Sequence, residues 1–459
     1  MTQYRIDSNE FWGTNKTIYE VNFVANGPSG NIVSTGNPFP VTIQQSSSSS
    51  PTVTANPTGV AVDAFGRARV STPLTLFDSS HRYNDNGLWV TSNSSGTTIT
   101  FDSNAGLINL ALPTTANAEI IRETTKVFSY QPGKSLQILN TFVFNPAQTN
   151  LRQRAGYFGA NNGIYLELDG SNLYLVERNF VTGTLTETRV AQADWNIDTL
   201  LGNVASSPSK ITLDISKAQI MFIDVEWLGL GTVRCGFVID GKLIHCHSFH
   251  HANYITSTYM TTASLPLRLE IKNNNGSTAN ASVMKQVCSS VLSEGGYELR
   301  GAQQAVSIPI TAPIDLTTAG TYYPVISIRL KSSPNRLDAI AILTALSILG
   351  LTNNCNYNWQ VVSNGTTVGG TWVSAGASSA VEYNITGTSF SGGRVLASGY
   401  TAASAQATIA TDILKEALFK FQLERNALTS TPYEITLIAA GSTNGGDILA
   451  SMDWEEVSR

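Results

Sequence analysis

The 459-residue sequence is poor in charge: Asp, Glu, Lys and Arg make up 13% of it, against about 25% in ordinary soluble domains. No Lys/Arg-rich run interrupts this scarcity and the formal net charge is -5, so the electrostatic footprint of a nucleic-acid binder is missing. Four cysteines are too few for a disulfide framework in a chain of this length, and free thiols made in a reducing compartment are expected. The longest apolar run, Ala339 to Leu351, falls short of the roughly 20 residues of a membrane-spanning helix; no membrane contact is expected. The opening "MTQYRIDSNEFWGTN" carries neither the basic nor the apolar region of a signal peptide, so synthesis in a cytosol is expected. Gly-x-Ser-x-Gly, P-loop and His-Glu-x-x-His patterns are absent, which removes the commonest nucleophile, nucleotide and zinc-hydrolase chemistries. Helical periodicity is almost absent too.

What is present reads as β-structure. Hydrophobic residues reach 42%, enough for a substantial core. Ser, Thr, Asn and Gly stand where charge is usual, a surface suited to packing against copies of the same chain. Residues 1–43 contain short strand-like pieces, "TIYEVNFVA" and "FPVTI", too few to enclose a core, and read as an extended N-terminal anchor segment. Residues 44–59, "QQSSSSSPTVTANPTG", have the composition of a linker. From 60 to 300, apolar or alternating runs such as "LQILNTFVF", "GIYLELDG", "AQIMFIDVEWLG" and "PLRLEIKN" recur between turn residues and predict a β-sandwich. Residues 301–459 supply a second set, including "YYPVISIRL", "YNWQVVSN" and "YEITLIAAG", and predict a second sandwich. The stretch "TDILKEALFKFQLERN" is ambiguous; it is expected to be a short helical or irregular lead-in followed by a strand.

Four of the five histidines and two of the four cysteines lie in "RCGFVIDGKLIHCHSFHHAN". Asp240-Gly241 is a two-residue hairpin signal. The register it sets places Gly236 opposite His245, Cys235 opposite Cys246 and Arg234 opposite His247. Alternation then puts the Cys235–Cys246 pair on one face and His245 and His247 on the other. A zinc site needs about four converging ligands, and this pattern splits them, so no metal and no cofactor are expected. In distance Cys235 and Cys246 could form a disulfide; as small buried hydrophobes they read as thiols. His250 and His251, just past the strand, are candidates for a polar contact with a ligand or a subunit. Tyr157, Phe158, Tyr165, Tyr174, Trp195 and Trp227 could form a sugar platform or simply fill the core.

"FIDVEW" resembles the Glu-x-Asp-x-Glu signature of laminarinase-type glycoside hydrolases, which use a concanavalin-like jelly roll. Here Phe222 occupies the nucleophile position, so retaining hydrolysis loses its attacking group. Asp224, Glu226 and Trp227 remain candidates for binding glycan, or for Asp224 and Glu226 a cation, with those two acids expected on one strand face. The stretches "VDAFGRARVSTPLTLFDSS", "GYFGANNGIYLELDGSNLYLVERN", "VEWLGLGTVRCGFVIDGKLIHCHSFHHAN", "YMTTASLPLRLEI", "VMKQVCSSVLSEGGYE" and the closing "ILASMDWEEVS" resemble virion structural proteins of marine tailed bacteriophages, cyanophages among them. That resemblance runs from about Val60 onward. It implies a particle component without catalytic residues: a fibre, decoration or adsorption protein on head or tail. The expected fold is all-β, a concanavalin-like jelly-roll sandwich followed by a second β-sandwich. Expected partners are further copies of the chain, with a trimer favoured, other virion proteins (capsid, portal or tail) reached through the N-terminus, and a host surface glycan. A lectin-like module is the alternative reading and a glycoside hydrolase the third.

Overall fold

The structure, a computed structural model, describes residues 4–7, 18–21, 72–296, 298, 300–403, 410–411 and 421–458. The chain divides into two compact units, residues 1–58 and 59–459. In the first, β1 (Tyr4–Asp7) and β2 (Ile18–Val21) form an antiparallel hairpin. The expected "FPVTI" strand and the Ser-rich linker lie outside the described residues.

The second unit contains two sandwiches. The strands of the first are β3 (Leu74–Ser80), β4 (Trp89–Asn93), β5 (Thr98–Asp102), β6 (Leu107–Leu112), β7 (Glu119–Thr124), β8 (Leu136–Val143), β9 (Leu151–Phe158), β10 (Gly163–Asp169), β11 (Asn172–Asn179), β12 (Thr186–Ala191), β13 (Gln219–Val225), β14 (Val233–Ile239), β15 (Lys242–Phe249), β16 (Leu267–Asn273) and β17 (Ser282–Ser293). They form a seven-stranded sheet in the order β12-β11-β10-β9-β16-β7-β4 and an eight-stranded sheet in which β15-β14-β13-β8-β17-β6-β5 run in order and β3, the eighth strand, pairs β17. All pairings are antiparallel. Hairpin neighbours such as β9-β10-β11-β12 and β13-β14-β15 are joined in each sheet by pairs distant in sequence, β9-β16-β7 and β13-β8-β17-β6, as in a jelly roll. Alternation explains the layering. Leu151, Ala155 and Tyr157 of β9, Ile164, Leu166 and Leu168 of β10, and Leu267, Leu269 and Ile271 of β16 share one buried core with Ile138 and Phe142 of β8 and Met221, Ile223 and Val225 of β13. The only helical element among the described residues is a 3-10 turn, Gln192–Asp194.

The second sandwich has β18 (Ala302–Ser307), β19 (Ile314–Leu316), β20 (Tyr323–Leu330), β21 (Ile340–Gly350), β22 (Asn356–Val368), β23 (Val373–Ser374), β24 (Val381–Asn384), β25 (Ser389–Ala402), β26 (Ala410–Thr411), β27 (Arg425–Asn426), β28 (Thr431–Pro432), β29 (Glu434–Gly441) and β30 (Gly446–Ser458). One sheet runs β18-β30-β21-β26 and the other β23-β24-β20-β29-β22-β25. Ile328, Leu343, Tyr357, Val361, Leu437, Met452 and Trp454 lie in the core between them.

At the end of the ambiguous stretch the expected strand is reduced to an isolated bridge between Gln422 and Ile342, although the side chains alternate. Phe421 and Leu423 enter the second core. Gln422 points the other way and donates from Nε2 to the Val127 carbonyl of the jelly roll at 2.9 Å. Residues 412–420, where the helical lead-in was expected, lie outside the described residues.

Candidate functional site

Six of the jelly-roll strands in the seven-stranded sheet carry charge on the face turned away from the core. Arg154 on β9 lies opposite Glu167 of β10 and Glu270 of β16. Arg178 of β11 lies opposite Glu187 of β12, and Arg268 of β16 opposite Glu123 of β7. Opposite charges facing each other across strands attract directly, and here they close into a network. Arg154 reaches Glu167 at 2.5 Å, Glu270 at 3.2 Å and Glu187 at 3.4 Å. Arg178 meets Glu187 at 2.8 Å, and Arg268 meets Glu270 at 2.7 Å and Glu123 at 3.0 Å. Arg189 pairs with Glu167 and with Asp169.

Aromatic rings lie under these guanidiniums. Phe158 and Tyr165 are tilted against each other at 4.4 Å. Arg154 and Arg178 sit over Tyr165 at 5.1 and 5.0 Å, and Arg189 over Tyr174 at 4.3 Å, within the range of cation–aromatic attraction. The Tyr165 hydroxyl donates to Glu187 at 2.7 Å. Burial pushes the Glu187 and Glu270 carboxyls up. The Tyr165 hydroxyl with Arg154 and Arg178 for Glu187, and Arg268 with Arg154 for Glu270, outweigh it, so both lie below the usual carboxylate range. Carboxylates held ionised in this way are poor general acids near neutrality.

The network continues into the second sandwich through Arg425, which is almost wholly buried. Its Nη2 approaches Glu123 at 3.4 Å and Asp338 at 3.1 Å, and its Nη1 donates to the Thr124 carbonyl at 2.6 Å. Its backbone N–H donates to the Thr125 carbonyl at 2.9 Å. Beside it Val127 of the jelly roll packs with Ile340 and Ile342 of β21. A cleft of about 310 Å³ opens at this joint, lined by Glu123, Arg268, Asn161, Asp338, Arg425 and Leu428 among others.

Of the residues singled out in the sequence, Phe158, Tyr165 and Tyr174 meet on the outward face of the seven-stranded sheet, whereas Tyr157 and Trp195 enter the core and Asp224 lies in the other sheet. Asp224 is fully buried; it pairs with Arg234 and accepts from Ser135 Oγ at 2.5 Å. Glu226 lies beyond the end of β13, so the expected shared strand face for Asp224 and Glu226 does not form. Trp227 packs against the core, with its ring 6.3 Å from that of Tyr130. His251 is buried, with Nε2 2.6 Å from Glu177 Oε2 and its ring stacked on Tyr259 at 3.9 Å. It ties a loop to β11 and does not face solvent. His250 alone of these is exposed.

The hairpin corrects the expected register. Asp240 and Gly241 take positive φ as the turn requires, at 51° and 73°, and Gly236 does lie opposite His245. A bulge follows. Cys235 faces His247, and Arg234 faces Ser248. Cys235 and Cys246 are thus not a directly opposed pair, and both are buried free thiols. The cause is remote: the N–H groups of Ile197 and Asp198 both donate to the Cys246 carbonyl at 3.0 Å, which takes that carbonyl out of the ladder. His245 hydrogen-bonds Ser248 Oγ at 2.9 Å, and His247 packs edge-on against Phe249. Among the described residues no three His, Cys, Asp or Glu side chains converge as metal ligands.

Sequence reading missed the outward charges of β7, β9, β10, β11, β12 and β16. The signal was there: Arg152 and Arg154, Glu167 and Asp169, Arg268 and Glu270 each stand two apart in runs that bury their other residues.

No family model matches the chain, and no curated protein matches it. Solved structures with a similar fold include a protein of unknown function from Shewanella oneidensis MR-1 (11% identity, 50% of this chain and 91% of that one, TM-score 0.32). The Emp47p carbohydrate recognition domain is similar at 13% identity, over 50% of this chain and 99% of its own, with TM-score 0.30. Arcelin-5, a lectin-like defence protein from Phaseolus vulgaris, matches at 8% identity over 49% and 99%, with TM-score 0.29. The jelly roll is concanavalin-like in its two antiparallel sheets. What it does has to be read from its own residues.

Proposed function

We propose that the chain is a structural component of a tailed-phage virion, a fibre, decoration or adsorption protein, and not an enzyme. The observation that carries this reading is the joint between the sandwiches. Arg425, Gln422 and the Val127–Ile340–Ile342 contact tie two β bodies together by ion pair, hydrogen bond and apolar packing. Such a body suits a part that must project and hold its orientation. The long stretches resembling marine phage virion proteins support the same assignment. The weakly charged surface suits assembly with further copies, a trimer being expected, and residues 1–58 serve as the anchor to capsid, portal or tail proteins. Deleting residues 1–58 is expected to leave 59–459 folded, by circular dichroism, and to abolish incorporation into particles. Normal incorporation of the truncated chain contradicts the anchor.

A second reading, compatible with the first, is recognition of a host surface glycan. It is favoured by the β11–β12 end of the outward face of the seven-stranded sheet, where Arg189 over the Tyr174 ring, Asp169 and Glu187 are the partly exposed members of an otherwise buried network. A blank glycan array with a folded chain removes this reading.

A further inference from the structure

The outer edge of the eight-stranded sheet is β15, which pairs with β14 on one side. Its other side is closed by residues 195–198, which follow the 3-10 turn. The N–H groups of Ile197 and Asp198 both donate to the Cys246 carbonyl at 3.0 Å. Ser248 N–H donates to Asn196 Oδ1 at 2.9 Å, and Asn196 Nδ2 donates to the Ser248 carbonyl at 2.9 Å. Trp195 stacks on Phe237 of β14 with ring centres 6.2 Å apart. The last bond differs in kind: Asn196 N–H donates to His247 Nδ1 at 3.2 Å. A backbone N–H only donates, so this ring nitrogen carries no proton and the neutral ring is protonated on Nε2. A second proton, on Nδ1, would set two donors against each other at a residue only 6% exposed, where water is a poor substitute partner.

We propose that residues 195–198 form an acid-released clamp on the edge of β15, with His247 as its trigger. The groups around the ring do nothing to stabilise an imidazolium. His245 and His250 stand on the same strand, Cys235 lies opposite on β14 with Arg234 beside it, and Asp224 of β13 pairs with Arg234. Asp198, the acid of the clamp, is engaged by the N–H groups of Leu200 and Ser209, both at 2.9 Å, and by Ser207 Oγ at 3.0 Å. Among the described residues no carboxylate pairs with the His247 ring. Burial, aided by His245 and His250, lowers its pKa to about 4. In an opened clamp the ring meets water and returns toward the ordinary 6.5. The open form therefore takes up the proton first as pH falls. Closure is at full strength above about pH 6.5 and weakens down to about pH 4. Opening strips the partners from the Cys246 carbonyl and from the backbone of Ser248, leaving a bare sheet edge.

Hydrogen exchange of the full chain, with the intrinsic pH dependence of amide exchange divided out, tests the clamp. Peptides covering 195–198 and 246–248 are compared at pH 7.5 and pH 5 in the wild type, His247→Asn and His247→Gln. The Asn Oδ1 stands where Nδ1 stood and accepts without titrating. His247→Gln, also untitratable, carries the comparison if His247→Asn does not fold. Opening in the wild type is expected to rise at least about tenfold at pH 5, and less than about threefold in a folded variant, with β9 and β16 unchanged in both. A wild type without the rise, a rise shared by β9 and β16, or an undiminished rise in a folded variant overturns the proposal.

Discussion

At the scale of single residues, Arg425 matters most. Breaking one partner out of a buried ion-paired group typically costs about 3–5 kcal/mol, because the other charges stay buried without compensation. Arg425→Ala leaves Glu123 with one guanidinium and frees the Thr124 carbonyl. Chemical denaturation of this variant is therefore expected to show a loss in that range; a change under about 1 kcal/mol would mean that the joint is not under tension from buried charge. The role of Arg425 was not legible in the sequence, since it ends a stretch whose apolar residues fit a helix face as well as a strand, and its partners Glu123 and Thr124 lie on a strand about three hundred residues earlier. His245 and His247 give a second residue-scale expectation. Burial lowers both to about 4, aided for His245 by Arg234 and for His247 by His245, with His250 acting on both. Asp224 pulls His245 the other way. Each folded-state value lies below the ordinary 6.5, so the unfolded chain takes up protons first as pH falls. Their contribution is complete above about pH 6.5 and is lost down to about pH 4. The melting temperature should fall across that window, and a His245→Gln/His247→Gln variant should show a shallower fall. An equally steep profile in that variant would assign the acid sensitivity elsewhere.

At the scale of elements, the β14–β15 hairpin shows what a local signal can and cannot specify. The Asp240-Gly241 turn predicts its own geometry and the four pairs nearest to it, and these form. Beyond Gly236 the register depends on Ile197 and Asp198, which draw the Cys246 carbonyl out of line. No pattern within the hairpin encodes a donor nearly fifty residues away. The strands β8, β10, β13 and β16 were legible because apolar content, with period-two burial in β8, is a local property. The charges between them were visible as well, but their pairing depends on which strands become neighbours. Gly236 makes this packing testable. A Cβ at that position meets the Ile244 carbonyl and lies 2.7 Å from the Phe222 ring. Gly236→Ala is expected to cost about 1–3 kcal/mol through overpacking, read as a lowered denaturation midpoint. An unchanged midpoint would show that the two strands part more easily than their register implies.

At the scale of the whole molecule, two sandwiches share a joint of buried charge and apolar contact, and the hydrogen-bonding face of one runs into a cleft beside the other. The carboxylates of that face are engaged by arginines, which fits holding and recognising better than turning over a substrate. On the proposed virion reading such a body stands on a particle, with residues 1–58 as its attachment. The most direct measurement is electron microscopy of intact virions labelled with antibody raised against residues 72–458. Label at fixed, symmetry-related positions on head or tail is predicted. Particles that remain unlabelled while the protein accumulates free in the host lysate would contradict the assignment.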